Sequence, residues 1–146
     1  MKIKRKIKYI GLDFDNTCVV EEWPGIGEEL AGMRKVIKKL MSEGHKIILI
    51  TQREHNLNGY DGDLLQEAIN WLEERGIVLS GVNNNPFLDY NPPSRKIYSD
   101  VIIDDHSCGI GLVERTNSDG TRMKCVDWNY VDTWLVENEY YKRKVL

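Results

Sequence analysis

Ile7-Lys8-Tyr9-Ile10-Gly11-Leu12-Asp13-Phe14-Asp15-Asn16-Thr17 places two carboxylates at the end of an apolar run. Ile7, Tyr9, Ile10 and Leu12 are strand formers with no proline among them, so the run reads as a buried strand that gives out at Asp13. Side chains alternate faces along an extended backbone, which sends Asp13 and Asp15 to one side and Phe14 to the other. Two like charges this close are costly to bury unless a cation lies between them or one of them keeps a proton. In open α/β sheets ligands gather beyond the carboxyl ends of the strands, which is where this pair stands.

Working outward, Cys18 to Gly27 forms a connector containing Trp23-Pro24-Gly25. A helical pattern then runs from Glu28 to Glu43, with Leu30, Met33, Ile37, Leu40 and Met41 as its stripe and Gly44 as its stop. Lys46 to Ile50 is an apolar strand ending at Thr51, as expected where both faces are covered. A polar loop, Gln52 to Gly62, precedes a second helix that buries Leu65, Ala68, Ile69 and Leu72 and ends at Gly76. Ile77 to Leu79 is a short strand, Asn83 to Ser94 a turn-rich loop, and Val101 to Ile103 a strand running into Asp104-Asp105. Gly111 to Val126 has the pattern of a hairpin closing at Asn117-Ser118-Asp119-Gly120, and Asn129 to Lys142 that of an amphipathic helix carrying Val131, Trp134 and Leu135.

Strand-helix alternation of this kind predicts an α/β fold: a mostly parallel sheet with right-handed crossovers and helices on both faces. Asp13 and Asp15, Thr51, and Asp104 with Asp105 each follow a predicted strand, so a single sheet gathers them at its C-terminal rim.

The totals narrow the function classes. A chain of 146 residues has room for one domain. With 41% hydrophobic and 29% charged residues and net charge −3, its composition is that of an ordinary globular protein and not of a basic nucleic-acid binder. No apolar run reaches the length of a membrane span and no signal-peptide pattern opens the chain, so no membrane association and a cytoplasmic location are expected. Cys18, Cys108 and Cys125 have no disulfide or zinc spacing, and His45, His55 and His106 no zinc-protease spacing. The basic, alternating segment from Lys2 to Lys8 reads either as a strip that contacts a phosphate backbone or, the reading favoured, as a solvated edge or lead-in to the first strand.

Asp13-Phe14-Asp15-Asn16-Thr17, Thr51, Lys96 and Asp104-Asp105, in this order and spacing, resemble the four signatures of the haloacid dehalogenase-like superfamily of phosphotransferases. The resemblance runs from about Tyr9 to His106 and is to the small members without an inserted cap domain. It implies a three-layer, Rossmann-like fold and a magnesium-dependent phosphatase. Asp13 would be the nucleophile, Asp15 the general acid and base, Thr51 a donor to a phosphoryl oxygen, and Lys96 the neutralising cation. Mg²⁺ would be held by Asp13, the backbone carbonyl of Asp15 and Asp105, with Asp104 acting through water or through Lys96. Asn16 and Thr17 would offer a backbone N–H and a hydroxyl to the substrate. Asn16 stands where the family often has glycine, and asparagine is the next best residue for a left-handed turn.

Arg53 has two open readings, a bidentate grip on a substrate phosphate or a surface ion pair. The intervals from Asp15 to Thr51 and from Thr51 to Lys96 are too short for a cap. An open rim suits a phosphorylated small molecule or a bulkier substrate such as a nucleic-acid end. Tyr60, Phe87 and Tyr90 either stack on a base or pin their own loops. The alternatives to a general phosphomonoesterase are a polynucleotide 3′-phosphatase and a non-catalytic protein that keeps the metal and phosphate site for recognition.

Overall fold

The computed structural model describes residues 6–88 and 96–142. Strand β1 (Tyr9–Leu12) is followed by a hairpin of β2 (Val19–Glu22) and β3 (Gly25–Glu29), then α1 (Met33–Ser42) and β4 (Lys46–Leu49). Next come α2 (Leu64–Glu74), β5 (Leu79–Val82) and β6 (Val101–Ile103), and last the hairpin of β7 (Leu112–Thr116) and β8 (Arg122–Val126) and α3 (Trp128–Glu137). The four-stranded sheet has the order β5-β4-β1-β6 and is parallel throughout, and each hairpin is a small antiparallel sheet of its own. This α/β arrangement is compatible with a Rossmann-like fold.

Three elements differ from the sequence pattern, one of them only in that α3 stops at Glu137, short of the expected Lys142. The expected connector and the first turn of the expected helix are instead the β2–β3 hairpin, so α1 starts at Met33 behind Gly32, which is left-handed at φ 88°. Glu28 and Glu29 therefore lie in a strand, and Glu29 pairs with Arg34 at 2.7 Å instead of facing a helix N-terminus. Gly27 is required in the hairpin, because a Cβ there would lie 2.0 Å from the carbonyl oxygen of Val20. The third sheet strand in chain order is shifted as well: Ile77 is a buried plug whose N–H donates to Leu72 O at the end of α2, and pairing starts only at Leu79.

The crossovers β1–α1–β4 and β4–α2–β5 step in the same direction across the sheet, so a right-handed connection puts both helices on one face. Buried residues of α1, α2 and α3 all join one core with Ile10, Leu12, Ile47 and Leu49. The other face is crossed by the chain returning from β5 to β6: Phe87 stacks on Tyr9 at 5.6 Å, and a Cβ on Gly11 would lie 2.9 Å from Ser99 Oγ. Helices on both faces were expected, and among the described residues the second face has none. The turn-formers Asn83 to Pro86 give that return path no helical period. Residues 89–95, which take in the second half of the predicted loop with Tyr90, lie outside the described residues, as do the basic positions Lys2, Lys4 and Arg5. No helix among the described residues is long and apolar enough to cross a membrane.

Trp128 ties the C-terminal helix to the chain beyond β1. Its indole Nε1 donates to Thr17 O at 2.8 Å inside the core. Trp128→Phe keeps an aromatic ring but removes the N–H donor and part of the indole's bulk, leaving a buried carbonyl unsatisfied. The expected cost is about 1–3 kcal/mol, read as a fall of several degrees in Tm by thermal unfolding. An unchanged Tm would contradict this role for the bond.

Candidate active site

The residues after β1 turn back sharply. Thr17, Cys18 and Val19 all donate backbone N–H groups to Phe14 O, and Asn16 is left-handed at φ 59°, the conformation its residue type favours. Phe14 points into the core, which leaves Asp13 and Asp15 toward the rim. Asp13 is held to the end of β6 by its backbone N–H, which donates to Ile103 O at 3.0 Å.

Thr17 joins the two aspartate segments. Its hydroxyl, wholly buried, donates to Asp13 Oδ2 at 2.7 Å and lies 3.5 Å from Asp105 Oδ1, while it accepts from the Asp105 N–H at 3.1 Å. The carboxylates at the ends of β1 and β6 thus share one hydroxyl. Burial pushes the Asp13 carboxyl up to about 8, with the nearby charges of Asp104 and Asp105 adding to the rise and the Thr17 hydrogen bond opposing it. Asp105 is also raised, chiefly by burial. The ligand atoms of Asp104, Asp105 and His106 lie within 4.8 Å of one another, and His106 Nε2 sits 3.6 Å from Asp105 Oδ2. Converging hard oxygens whose negative charge is disfavoured by burial suit a small divalent cation such as Mg²⁺.

Arg53 occupies neither of the places foreseen for it. The side chain is completely buried and grips Asp15 bidentately, Nε to Oδ2 at 2.9 Å and Nη2 to Oδ1 at 2.8 Å. Nη1 donates to Pro24 O and Leu64 O, and Nη2 also to Gly25 O. The five N–H donors of a guanidinium are therefore all taken, and none is left for a substrate phosphate. The guanidinium lies over the rings of Phe14 and Trp23, with its carbon 5.2 and 5.1 Å from their centroids.

Two other expected substrate contacts are used internally. Asn16 accepts from the Glu21 N–H at 2.9 Å through Oδ1, and its own N–H donates to Val19 O, so it braces the β2–β3 hairpin. Thr17 is spent on the two aspartates. Thr51 lies at the rim just beyond β4. Its hydroxyl oxygen accepts from the Arg53 N–H at 3.1 Å, which leaves the hydroxyl proton to donate. Lys96 is exposed and opens the described stretch leading into β6. Tyr60 meets the edge of Trp23, and Phe87 stacks on Tyr9, so each ring packs against the protein while remaining exposed. Cys18 and Cys125 are buried free thiols and Cys108 is an exposed one.

Sequence reasoning missed Asn83, Trp23 and Trp128. Asn83, left-handed at φ 49°, accepts from the Thr51 N–H through Oδ1 at 2.9 Å and so fixes the rim residue after β4. An asparagine closing a strand signals such a turn, yet nothing in the sequence pairs it with Thr51.

The high Asp13 value sets a pH dependence. An unfolded aspartate titrates near 3.9, so between about pH 4 and the value of about 8 the folded chain holds the extra proton. Stability is fully present below that window and is lost as pH rises through it. Asp13→Asn removes the penalty. In chelator at pH 8 the variant should melt several degrees above wild type, and the gap should close near pH 4. A gap independent of pH would contradict the assignment.

A solved structure of a conserved protein from Bacteroides thetaiotaomicron is similar to this chain, at 30% sequence identity and TM-score 0.70 over 92% of this chain and 93% of that one. No family model and no curated protein matches the chain.

Proposed function

We propose that this chain, which belongs to one family with the Bacteroides thetaiotaomicron conserved protein, is a magnesium-dependent phosphomonoester hydrolase of the haloacid dehalogenase-like type. The observation that carries the proposal is the Thr17 hydroxyl set between Asp13 and Asp105, because it joins the first and last signatures of that resemblance in one site.

The Thr17 hydrogen bond fixes the Asp13 carboxylate at the end of β1. An Asp13 oxygen forms a bond to phosphorus as the ester P–O bond breaks, giving an aspartyl-phosphate and splitting one difficult displacement into two. Asp15, carrying a proton at a lone pair that the Arg53 fork leaves free, gives that proton to the departing alkoxide. It then takes a proton from the water that attacks phosphorus, and cleavage of the Asp13 O–P bond releases inorganic phosphate. The Thr51 hydroxyl donates to a phosphoryl oxygen, and the Lys96 ammonium offsets the charge that builds there. Mg²⁺ would be held by Asp13, Asp105 and the backbone carbonyl of Asp15, with Asp104 behind a water, and would supply charge neutralisation for an incoming dianion.

The test is Mg²⁺-dependent phosphate release from an aryl phosphate and from a 3′-phosphorylated oligonucleotide, with wild type, Asp13→Asn and Asp15→Asn compared. The expected result is turnover by wild type, its loss in Asp13→Asn, and a fall of about 10²–10⁴-fold in Asp15→Asn. Equal inertness of all three at saturating Mg²⁺ would overturn the enzymatic proposal in favour of a recognition role. Activity on the oligonucleotide alone would assign the polynucleotide class.

A further inference from the structure

We propose that Arg53 is a positioning residue: it fixes the plane of the Asp15 carboxylate and ties it to the tip of the β2–β3 hairpin, so that Asp15 is aimed at the leaving group. The inference rests on the phosphatase proposal above. Its basis is geometric. The fork contacts both Asp15 oxygens at 2.9 and 2.8 Å, and the same guanidinium donates to the hairpin carbonyls of Pro24 at 3.1 Å and Gly25 at 2.7 Å. Trp23, at the same tip, and Phe14 both lie against the guanidinium, their ring centroids 5.1 and 5.2 Å from its carbon. One cation thus locks the loop after β1, the hairpin tip and the start of α2, where Leu64 O takes another donor at 3.5 Å.

The lock does not use up the carboxylate. A carboxyl group offers about four lone-pair sites and the parallel fork occupies one on each oxygen, so a lone pair is left to carry the proton that Asp15 hands over. The Asp15 side chain remains 17% exposed on the rim side, whereas Arg53 has no exposure at all. A group that must hand a proton to one oxygen and take it from another needs its remaining lone pairs held in a fixed direction, and a misplacement of about 1 Å costs on the order of 10²-fold. Lysine carries the same charge but lacks the planar fork, so it cannot fix the carboxylate plane.

Leaving-group dependence separates positioning from general support. Proton donation matters for an alkyl phosphate, whose alkoxide is a poor leaving group, and little for an aryl phosphate such as p-nitrophenyl phosphate, whose phenoxide leaves unaided. kcat/KM reports the steps through expulsion of that group. Arg53→Lys should lower kcat/KM for the alkyl ester about 10²-fold and for the aryl ester by less than about 5-fold, and the selective loss should vanish in an Asp15→Asn background. Trp23→Leu, which removes the half-buried ring beside the guanidinium at the hairpin tip, should give a smaller selective loss and serves if the lysine variant does not fold. Equal losses on both esters, or a selective loss that persists without Asp15, would overturn this inference and leave the phosphatase proposal standing. A wild type inert toward both esters would overturn the phosphatase proposal, and this inference with it.

Discussion

One buried hydroxyl holds two acidic strand ends together. Thr17 donates to Asp13 and accepts from the Asp105 N–H, so the ends of β1 and β6 close around it despite the repulsion of their carboxylates. A hydroxyl can do this because it donates to one partner and accepts from another at once. The arrangement keeps like charges in contact with little water, and Asp13 responds by holding its proton far above the usual carboxylate range. The site is in this sense under electrostatic tension, and a divalent cation is the natural relief. Polar groups of this kind destabilise a fold locally while serving its chemistry, a common feature of functional sites.

The second aspartate meets the opposite environment. Asp15 is two residues from Asp13, yet its charge is matched by a guanidinium that the core encloses on every side. A buried arginine is costly unless every donor is satisfied, and here carboxylate and carbonyl oxygens take them all. The alternation of a single strand end therefore delivers neighbouring carboxylates into contrasting surroundings, one crowded by acids and the other clamped by a base. These surroundings favour the proton on Asp13 and set a guanidinium against Asp15, the reverse of what a nucleophile and a general acid need, so the proposed chemistry requires a cation at Asp13 to draw its proton off. The β7–β8 hairpin supports this from outside: Val126 N–H donates to Asn16 O, and Asn117 Nδ2 reaches Glu21 O.

Much of the frame was legible in the sequence because its signals are local. β1, β4, β6, the Asn117–Gly120 turn and the buried stripes of α1 and α2 follow from apolar period and turn chemistry that each segment carries by itself. The convergence of Asp13 with Asp105 was legible too, since every parallel strand ends at the same rim. The β2–β3 hairpin was not. Its glutamates and glycines resemble a helix start in one dimension, and only the 2.0 Å approach of Val20 O to the Gly27 Cβ position shows why a strand forms there. The tasks of Arg53 and Thr17 were hidden for a similar reason. An arginine and a threonine in loops resemble substrate contacts until long-range packing, through Trp23 and Trp128, encloses them.

The most direct measurement is the chemical identity of the phosphorylated residue during turnover. The protein is quenched in acid while hydrolysing an aryl phosphate with Mg²⁺, and its peptides are mapped by mass spectrometry before and after hydroxylamine. The expected result is a hydroxylamine-labile phosphoryl group on Asp13, absent from Asp13→Asn. Turnover with the phosphoryl group on any other residue would contradict it.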